Sequence, residues 1–364
     1  MKSISIFVSN DLVTDQRMHR MSHAFCDKKW DVKLIGILKK SSLECKDDRI
    51  IIERLRVYPE SGWLFYTLMN WRFFWKAISS KSNYYLSVDL DTLPALRLAS
   101  LIKGKPLIWD CHEIYTQIPE LYSRPLVKQI WVNLERFFTP NLKRVIAVTG
   151  GVALYLKRFN VDPMVIHNYP RYRESVVFFT QKIQSKTILF QGFLNEGRCL
   201  DILVKSISFI PEPYCLEIIG DGVLKEELEN LVKSEKLGAR VRFTGLVTPE
   251  ELVKKTESAF IGISLLDREH GNSMVSLANK NLDYIMARLP GVTMDFHEYR
   301  SINEKWPVAI LLEMASPETV SKAIKRLIAD PELYKNMVIA CEAASQVLNW
   351  ENESQKLYEI IDSL

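Results

Sequence analysis

The sequence predicts an α/β chain made of two consecutive doubly wound domains, each a parallel sheet covered by helices. Three observations carry this. Short apolar runs alternate with longer stretches of helical periodicity, the pattern of strand-helix-strand units. That alternation breaks once, at a polar stretch, and then begins again. A length of 364 residues also exceeds the size at which one hydrophobic core usually stops growing.

The first series opens with one charge and a brief apolar run that ends at Ser9-Asn10-Asp11, too short for a signal-peptide core and read as a strand over 4–8. Further strands are expected at 31–35, 84–88, 107–111, 144–148 and 164–167, with helical patterns between most of them. After Asn168-Tyr169-Pro170 the polar stretch 171–185 reads as the connection, so the expected domains are 1–170 and 171–346. The second series has strands expected at 187–191, 216–220, 241–244, 260–265, 292–295 and 309–312. Thr248-Pro249-Glu250-Glu251 and Ser316-Pro317-Glu318 carry the cap and first-turn residues of helix starts.

Composition excludes several classes. The net charge of +4 is small, and the Lys and Arg residues are scattered, so nothing points to nucleic acid. Six cysteines without a C-x-x-C pair suggest neither a zinc site nor a disulfide framework. No run of about 18 apolar residues occurs, which leaves only peripheral contact with a membrane. The aromatic segment 63–76, with Arg72 and Lys76, suits a membrane interface or a groove for a lipid-linked acceptor; burial against the first sheet is the competing reading.

Candidate binding residues lie where strands give way to helices. In Gln191-Gly192 through Gly197-Arg198, backbone amides, a helix dipole and a guanidinium could converge on a diphosphate, although an ordinary turn has the same composition. Gly220 and Gly245 repeat the strand-then-glycine pattern, which lets a ligand ring approach the backbone. In Asn279-Lys280-Asn281-Leu282-Asp283, amides and Lys280 could hold phosphate while Asp283 accepts ribose hydroxyls; a solvated Lys-Asp pair is the plain alternative. Asp89-Leu90-Asp91 matches a metal-binding D-x-D pattern, but capping of a helix by Asp91 explains it more simply. His19, His23, His167, His270 and His297 lack metal-ligand spacing.

Taken in order, Gln191-Gly192 to Arg198, Ile219-Gly220-Asp221-Gly222, Val241 to Gly245 and Asn279-Lys280 to Asp283-Tyr284 resemble the donor half of family-4 retaining glycosyltransferases. Asp15-Gln16-Arg17, Asp89 to Pro94 and Asp110-Cys111-His112-Glu113 are similar to motifs of the same family, in its bacterial surface-polysaccharide branch. The resemblance implies the GT-B fold, two Rossmann-like domains facing a central cleft, with a helix over 347–364 returning to the first domain. It implies metal-independent transfer, with retention, from a UDP- or GDP-sugar to a saccharide or lipid-linked acceptor, in a cytoplasmic protein that can sit at the inner membrane face. Under it, His112, Arg198 and Lys280 are the expected catalytic residues. Gly192, Gly220, Gly245, Asn279 and Asp283 join Arg198 and Lys280 around the donor, while Asp15, Arg17, His112 and Glu113 lie on the acceptor side. No cofactor or metal is expected.

This sequence departs from the family pattern at Val275, where the first acid of the paired motif would stand, at Arg288, where a helix-ending glycine would stand, and at Phe193, where many relatives carry an arginine. Two other functions fit the same architecture: a nucleotide-sugar 2-epimerase, for which no acid-base pair is evident, and a non-catalytic nucleotide-binding subunit.

Overall fold

The computed structural model describes residues 2–118, 121–174, 179–269 and 271–364; His270 and part of the expected connection lie outside them. The chain divides into two compact units, residues 1–168 with 353–364, and residues 169–352.

The first unit is built on seven parallel strands, β1 (Ser3–Phe7), β2 (Asp31–Ile37), β3 (Ile51–Leu55), β4 (Tyr84–Val88), β5 (Leu107–Cys111), β6 (Val145–Ala147) and β7 (Pro163–Val165), in the order β3-β2-β1-β4-β5-β6-β7. Residues such as Ile4, Ile6, Leu34, Leu86 and Ile108 are fully buried, as expected where helices cover both faces of a parallel sheet. Helices α1 (Gln16–Asp27), α2 (Gly62–Ser79), α3 (Asp89–Lys103), α4 (Pro125–Phe138) and α5 (Gly150–Leu156) connect the strands.

Strand β3 is absent from the sequence-based expectation. It is an edge strand whose Glu53 faces Lys33 and Lys76, so half of it is solvated and no apolar run marks it. The aromatic segment forms α2, with Phe65, Met69, Phe73 and Ala77 buried while Trp63, Trp71 and Trp75 stay exposed. Burial and exposure thus each apply to one side of the same helix.

The second unit has six parallel strands, β8 (Thr187–Gln191), β9 (Cys215–Ile219), β10 (Val241–Gly245), β11 (Ile261–Ser264), β12 (Gly291–Met294) and β13 (Ala309–Leu312), in the order β10-β9-β8-β11-β12-β13. Its helices are α6 (Phe179–Gln184), α7 (Leu200–Ser206), α8 (Lys225–Ser234), α9 (Pro249–Ser258), α10 (Gly271–Val275), α11 (Asn279–Met286), α12 (His297–Lys305), α13 (Pro317–Ala329) and α14 (Pro331–Val347). Both anticipated caps form capping boxes: Thr248 with Glu251 at α9, and Ser316 with Thr319 at α13.

The stretch read as a polar connection contains α6, whose Lys182 is fully buried and donates to the Glu257 carbonyl. A last helix, α15 (Trp350–Asp362), follows. Its Glu353 carboxylate accepts the His167 backbone N–H at 2.8 Å, and Tyr358 donates to Asp27 at 3.0 Å, so its end belongs to the first unit.

Candidate functional site

In each sheet the chain runs outward to one edge and then resumes on the other side of its first strand, between β1 and β4 and between β8 and β11. Such a switch point separates the loops at the carboxyl ends of neighbouring strands and opens a crevice there. The candidate residues gather around these two places, one in each unit.

At the first switch point, Arg17, projecting from α1, is 3% exposed and donates to both oxygens of Asp110 at 3.0 and 2.8 Å. Its remaining nitrogen donates to the Ile166 carbonyl at 2.9 Å. His112, two residues beyond Asp110, places Nε2 2.8 Å from Asp110 Oδ2 and donates its backbone N–H to Asp89 Oδ1 at 2.8 Å. Burial alone would push the His112 imidazole down, but the Asp89 and Asp110 carboxylates outweigh it and lift the group to about 9. Burial works against the Asp110 charge too, yet Arg17 and His112 hold its carboxyl well below the usual range. The result is a closed cluster in which each charge has an opposite neighbour.

The other acceptor-side candidates have local roles. Asp15 caps α1, accepting the Met18 N–H at 3.0 Å and the Asn10 side chain at 2.6 Å. Glu113 follows β5, and its carbonyl accepts from the Cys111 thiol at 3.3 Å. Asp91 does not cap α3 as the sequence suggested: Val88 is the cap residue, and the buried Asp91 side chain leaves Oδ1 without a hydrogen-bond partner among the described residues. Burial, reinforced by Asp89, pushes its carboxyl up to about 8. Asp89 takes a left-handed backbone, φ 57°, rare outside glycine, and points its carboxylate at His112. Asp89 and Asp110, which stand in two of the sequence motifs without an assigned role, are thus part of this cluster.

At the second switch point, the floor is glycine. Gly192, Gly220 and Gly245 end β8, β9 and β10, and the Gly192 and Gly220 amides donate to Ile219 and Gly245 carbonyls at 2.9 Å each. A Cβ on Gly220 would lie 1.9 Å from the Gly192 carbonyl oxygen, so this backbone approach admits no side chain. Lys280, in the first turn of α11, reaches over this floor; its Nζ would be 3.4 Å from a Cβ at Gly192.

Lys280 is 6% exposed, its Nζ has no hydrogen-bond partner among the described residues, and it lies 3.7 Å from the centre of the Phe190 ring. Burial, reinforced by the nearby Arg198 charge, pushes its amine well below the ordinary lysine value. An ammonium with a ring on one side and no anion is incompletely satisfied.

Asp283, one turn along the same helix, accepts from Gln191 Nε2 at 3.0 Å, while the Gln191 amide oxygen accepts from Thr256 at 2.8 Å. Gln191 and Thr256 therefore orient Asp283; Gln191 opens a sequence motif that gave its side chain no role, and Thr256 belongs to no motif. Asn279 is exposed at the start of the helix, and Phe193 is exposed in the loop before Arg198. Arg288 does adopt the left-handed geometry of a helix-ending glycine, φ 54°, at an expected cost of about 1 kcal/mol. Its buried guanidinium is engaged by Glu342 and by the carbonyls of Arg173 and Met286, which offsets that cost.

Residues 175–342 match the family described as Glycosyl transferases group 1. Over 173 residues the chain is 30% identical to the GalNAc-alpha-(1->4)-GalNAc-alpha-(1->3)-diNAcBac-PP-undecaprenol alpha-1,4-N-acetyl-D-galactosaminyltransferase of Campylobacter jejuni, a match covering 46% of this chain and 45% of that relative. The whole chain superposes on Anabaena HepE in complex with UDP, with TM-score 0.77, 16% identity and full coverage of both chains. It also superposes on sucrose-phosphate synthase from Thermosynechococcus elongatus, with TM-score 0.82, 14% identity and coverage of 100% and 99%. At such identities the structures speak for the fold alone. The chain thus has the two-sheet α/β GT-B fold, and its residues 175–342 are similar to the group 1 glycosyl transferase family, a match that spans less than half of the chain.

Proposed function

We propose that this chain is a retaining, metal-independent glycosyltransferase that takes a sugar from a UDP- or GDP-sugar and passes it to a saccharide or lipid-linked acceptor. The observation that carries the reading is Lys280: a buried amine without a hydrogen-bond partner, set over a glycine floor at a switch point. A diphosphate lying on Gly192 and Gly220 would supply the missing anion. Arg198, close enough to depress the Lys280 amine, adds a second positive charge at the place where the leaving diphosphate develops its own. Asp283, held by Gln191, is the ribose ligand. His112, kept protonated between Asp89 and Asp110, would stand at the reacting sugar with Asp15, Arg17 and Glu113 around the acceptor.

Two fixed cations perform the task that a bound metal performs in other transferases, so the reaction written here needs none. The complexes of HepE with UDP and with UDP-glucose support a uridine nucleotide as donor, and the name of the Campylobacter relative supports a lipid diphosphate-linked acceptor. With such an acceptor, the protein would work at the inner membrane face, touching it through 63–76.

A thermal-shift screen against nucleoside diphosphates and nucleotide sugars tests this, since a ligand that binds only the folded state raises the melting temperature by mass action. UDP or GDP should raise it, and Arg198→Ala should abolish most of the rise and the turnover. No shift with any nucleotide, or wild-type turnover in that variant, would remove the proposal's basis.

A further inference from the structure

Helix α11 carries Lys280 in its first turn, and its two ends are held by different means. Toward its C-terminal end Tyr284 lays its ring on β11, where a Cβ at Gly262 would stand 2.5 Å from the ring, and its hydroxyl donates to the Ile263 carbonyl at 3.2 Å. The first turn is held differently. A cavity of about 20 Å³ lies between α11, α12, β12 and β13, with Asn281, Thr293 and Tyr299 in its wall. The cap residue is Ala278, whose methyl group can accept no amide proton and which is among the poorest choices for that position.

Hydrogen bonds to neighbouring elements anchor this turn instead. The Tyr299 hydroxyl, from α12, accepts the Ala278 N–H at 2.9 Å. Asn281 donates to Ser264 Oγ at the end of β11 at 2.9 Å, and the Ser264 carbonyl accepts from Thr293 of β12 at 2.9 Å. The two anchors bracket Lys280, one acting two residues before it and one on the next residue. Tyr299 is 4% exposed, and burial pushes its phenol up to about 12, against the Ala278 amide, the Asn281 and Ser276 side chains and the Arg198 charge. The hydroxyl therefore stays un-ionised at neutral pH and stands within reach of the second cation of the site as well.

We propose that Tyr299 is a positioning residue for the donor site: its hydroxyl fixes the turn that sets Lys280 over Gly192, while its ring packs in the core of the second unit. A phenylalanine there would keep the ring and leave the half-buried Ala278 N–H without its acceptor. The first turn would then be free to shift, and misplacements of about 1 Å that arise away from the chemistry can cost about 10²-fold in rate. The consequence for ligands rests on the donor reading of Lys280; the anchoring itself does not.

The test compares the full chain with Tyr299→Phe, Lys280→Met and the double variant. Without ligand, hydrogen–deuterium exchange over residues 276–281 should be at least about tenfold faster in Tyr299→Phe, with exchange in the strands of the second sheet unchanged. By calorimetry, Tyr299→Phe should bind UDP or GDP, whichever the wild type binds, about fivefold or more weakly. In the Lys280→Met background the same change should add less than about twofold, because a hydroxyl that acts through Lys280 has nothing left to position; a merely structural role would weaken binding equally in both backgrounds. Wild-type exchange over 276–281, wild-type affinity in Tyr299→Phe, or an equal loss in both backgrounds would overturn the inference. A wild-type protein that binds neither UDP nor GDP would overturn the donor reading and this inference with it, a result distinct from nucleotide binding that is indifferent to Tyr299.

Discussion

The two switch points hold buried charge in opposite ways. In the first unit Arg17, Asp110, His112 and Asp89 satisfy one another, with Arg17 using three nitrogens on Asp110 and the Ile166 carbonyl. In the second, Lys280 is buried to a similar extent but has no ion-pair partner and no hydrogen-bond acceptor among the described residues. A closed network is finished when the chain folds; an open one is finished only by a ligand. The difference separates residues that fix geometry from a residue that waits for charge.

Breaking the closed network should have the largest effect on stability. Asp110→Asn leaves Arg17 buried without its counter-charge and should cost about 3–5 kcal/mol in denaturant unfolding. Adding Arg17→Met to that variant should recover much of the loss, because the orphaned charge goes with it. A cost below about 1 kcal/mol for the single change would mean that the cluster is open as well.

The open site predicts the reverse. Lys280→Met replaces a poorly satisfied amine with an apolar chain of similar size, so the unliganded protein should melt no lower than wild type. Turnover should nevertheless fall by about 10²–10³-fold, the usual consequence of removing a preorganised group from a developing charge. Lower stability with normal turnover would reverse the assignment of the two sites.

A third buried cation sharpens the comparison by titration. Burial pushes the Lys182 amine down to about 8, and its Nζ donates to the Glu257 carbonyl. The unfolded chain keeps that lysine protonated to near its ordinary value, so between the two values the unfolded state binds more protons and stability must rise with pH. Relative to Lys182→Met, the wild type should gain about 2–3 kcal/mol from pH 8 to above 10; parallel curves for the two proteins would contradict the burial of a charge there. The smallest effect belongs to Thr256→Val, which removes the bond that orients Gln191 and should weaken nucleotide binding by about 1 kcal/mol with little loss of turnover at saturation.

Most of the frame was legible in the sequence because fully buried strands leave apolar runs and helix starts leave caps. The edge strand β3 was not, since a half-solvated strand looks like a polar loop; α6 was not, since its buried lysine reads as a surface residue. Gly192, Gly220 and Lys280 lie close together, and Asp283 is bonded to the Gln191 that precedes Gly192. Asp91 did not cap its helix, and the roles of Asp89, Gln191 and Thr256 needed three dimensions, because they act on residues 23, 92 and 65 positions away. Arg288 shows the same limit: its identity argued against a left-handed cap, and only the fold supplied the Glu342 partner that sustains one.

Calorimetric titration of UDP or GDP near pH 8.5, where the diphosphate is fully ionised, in buffers of different ionisation enthalpy would measure whether an anion completes Lys280. The account predicts net proton uptake on binding, as the depressed amine becomes an ammonium, and loss of that uptake in Lys280→Met. Binding of equal strength in both proteins with no proton exchanged would contradict it.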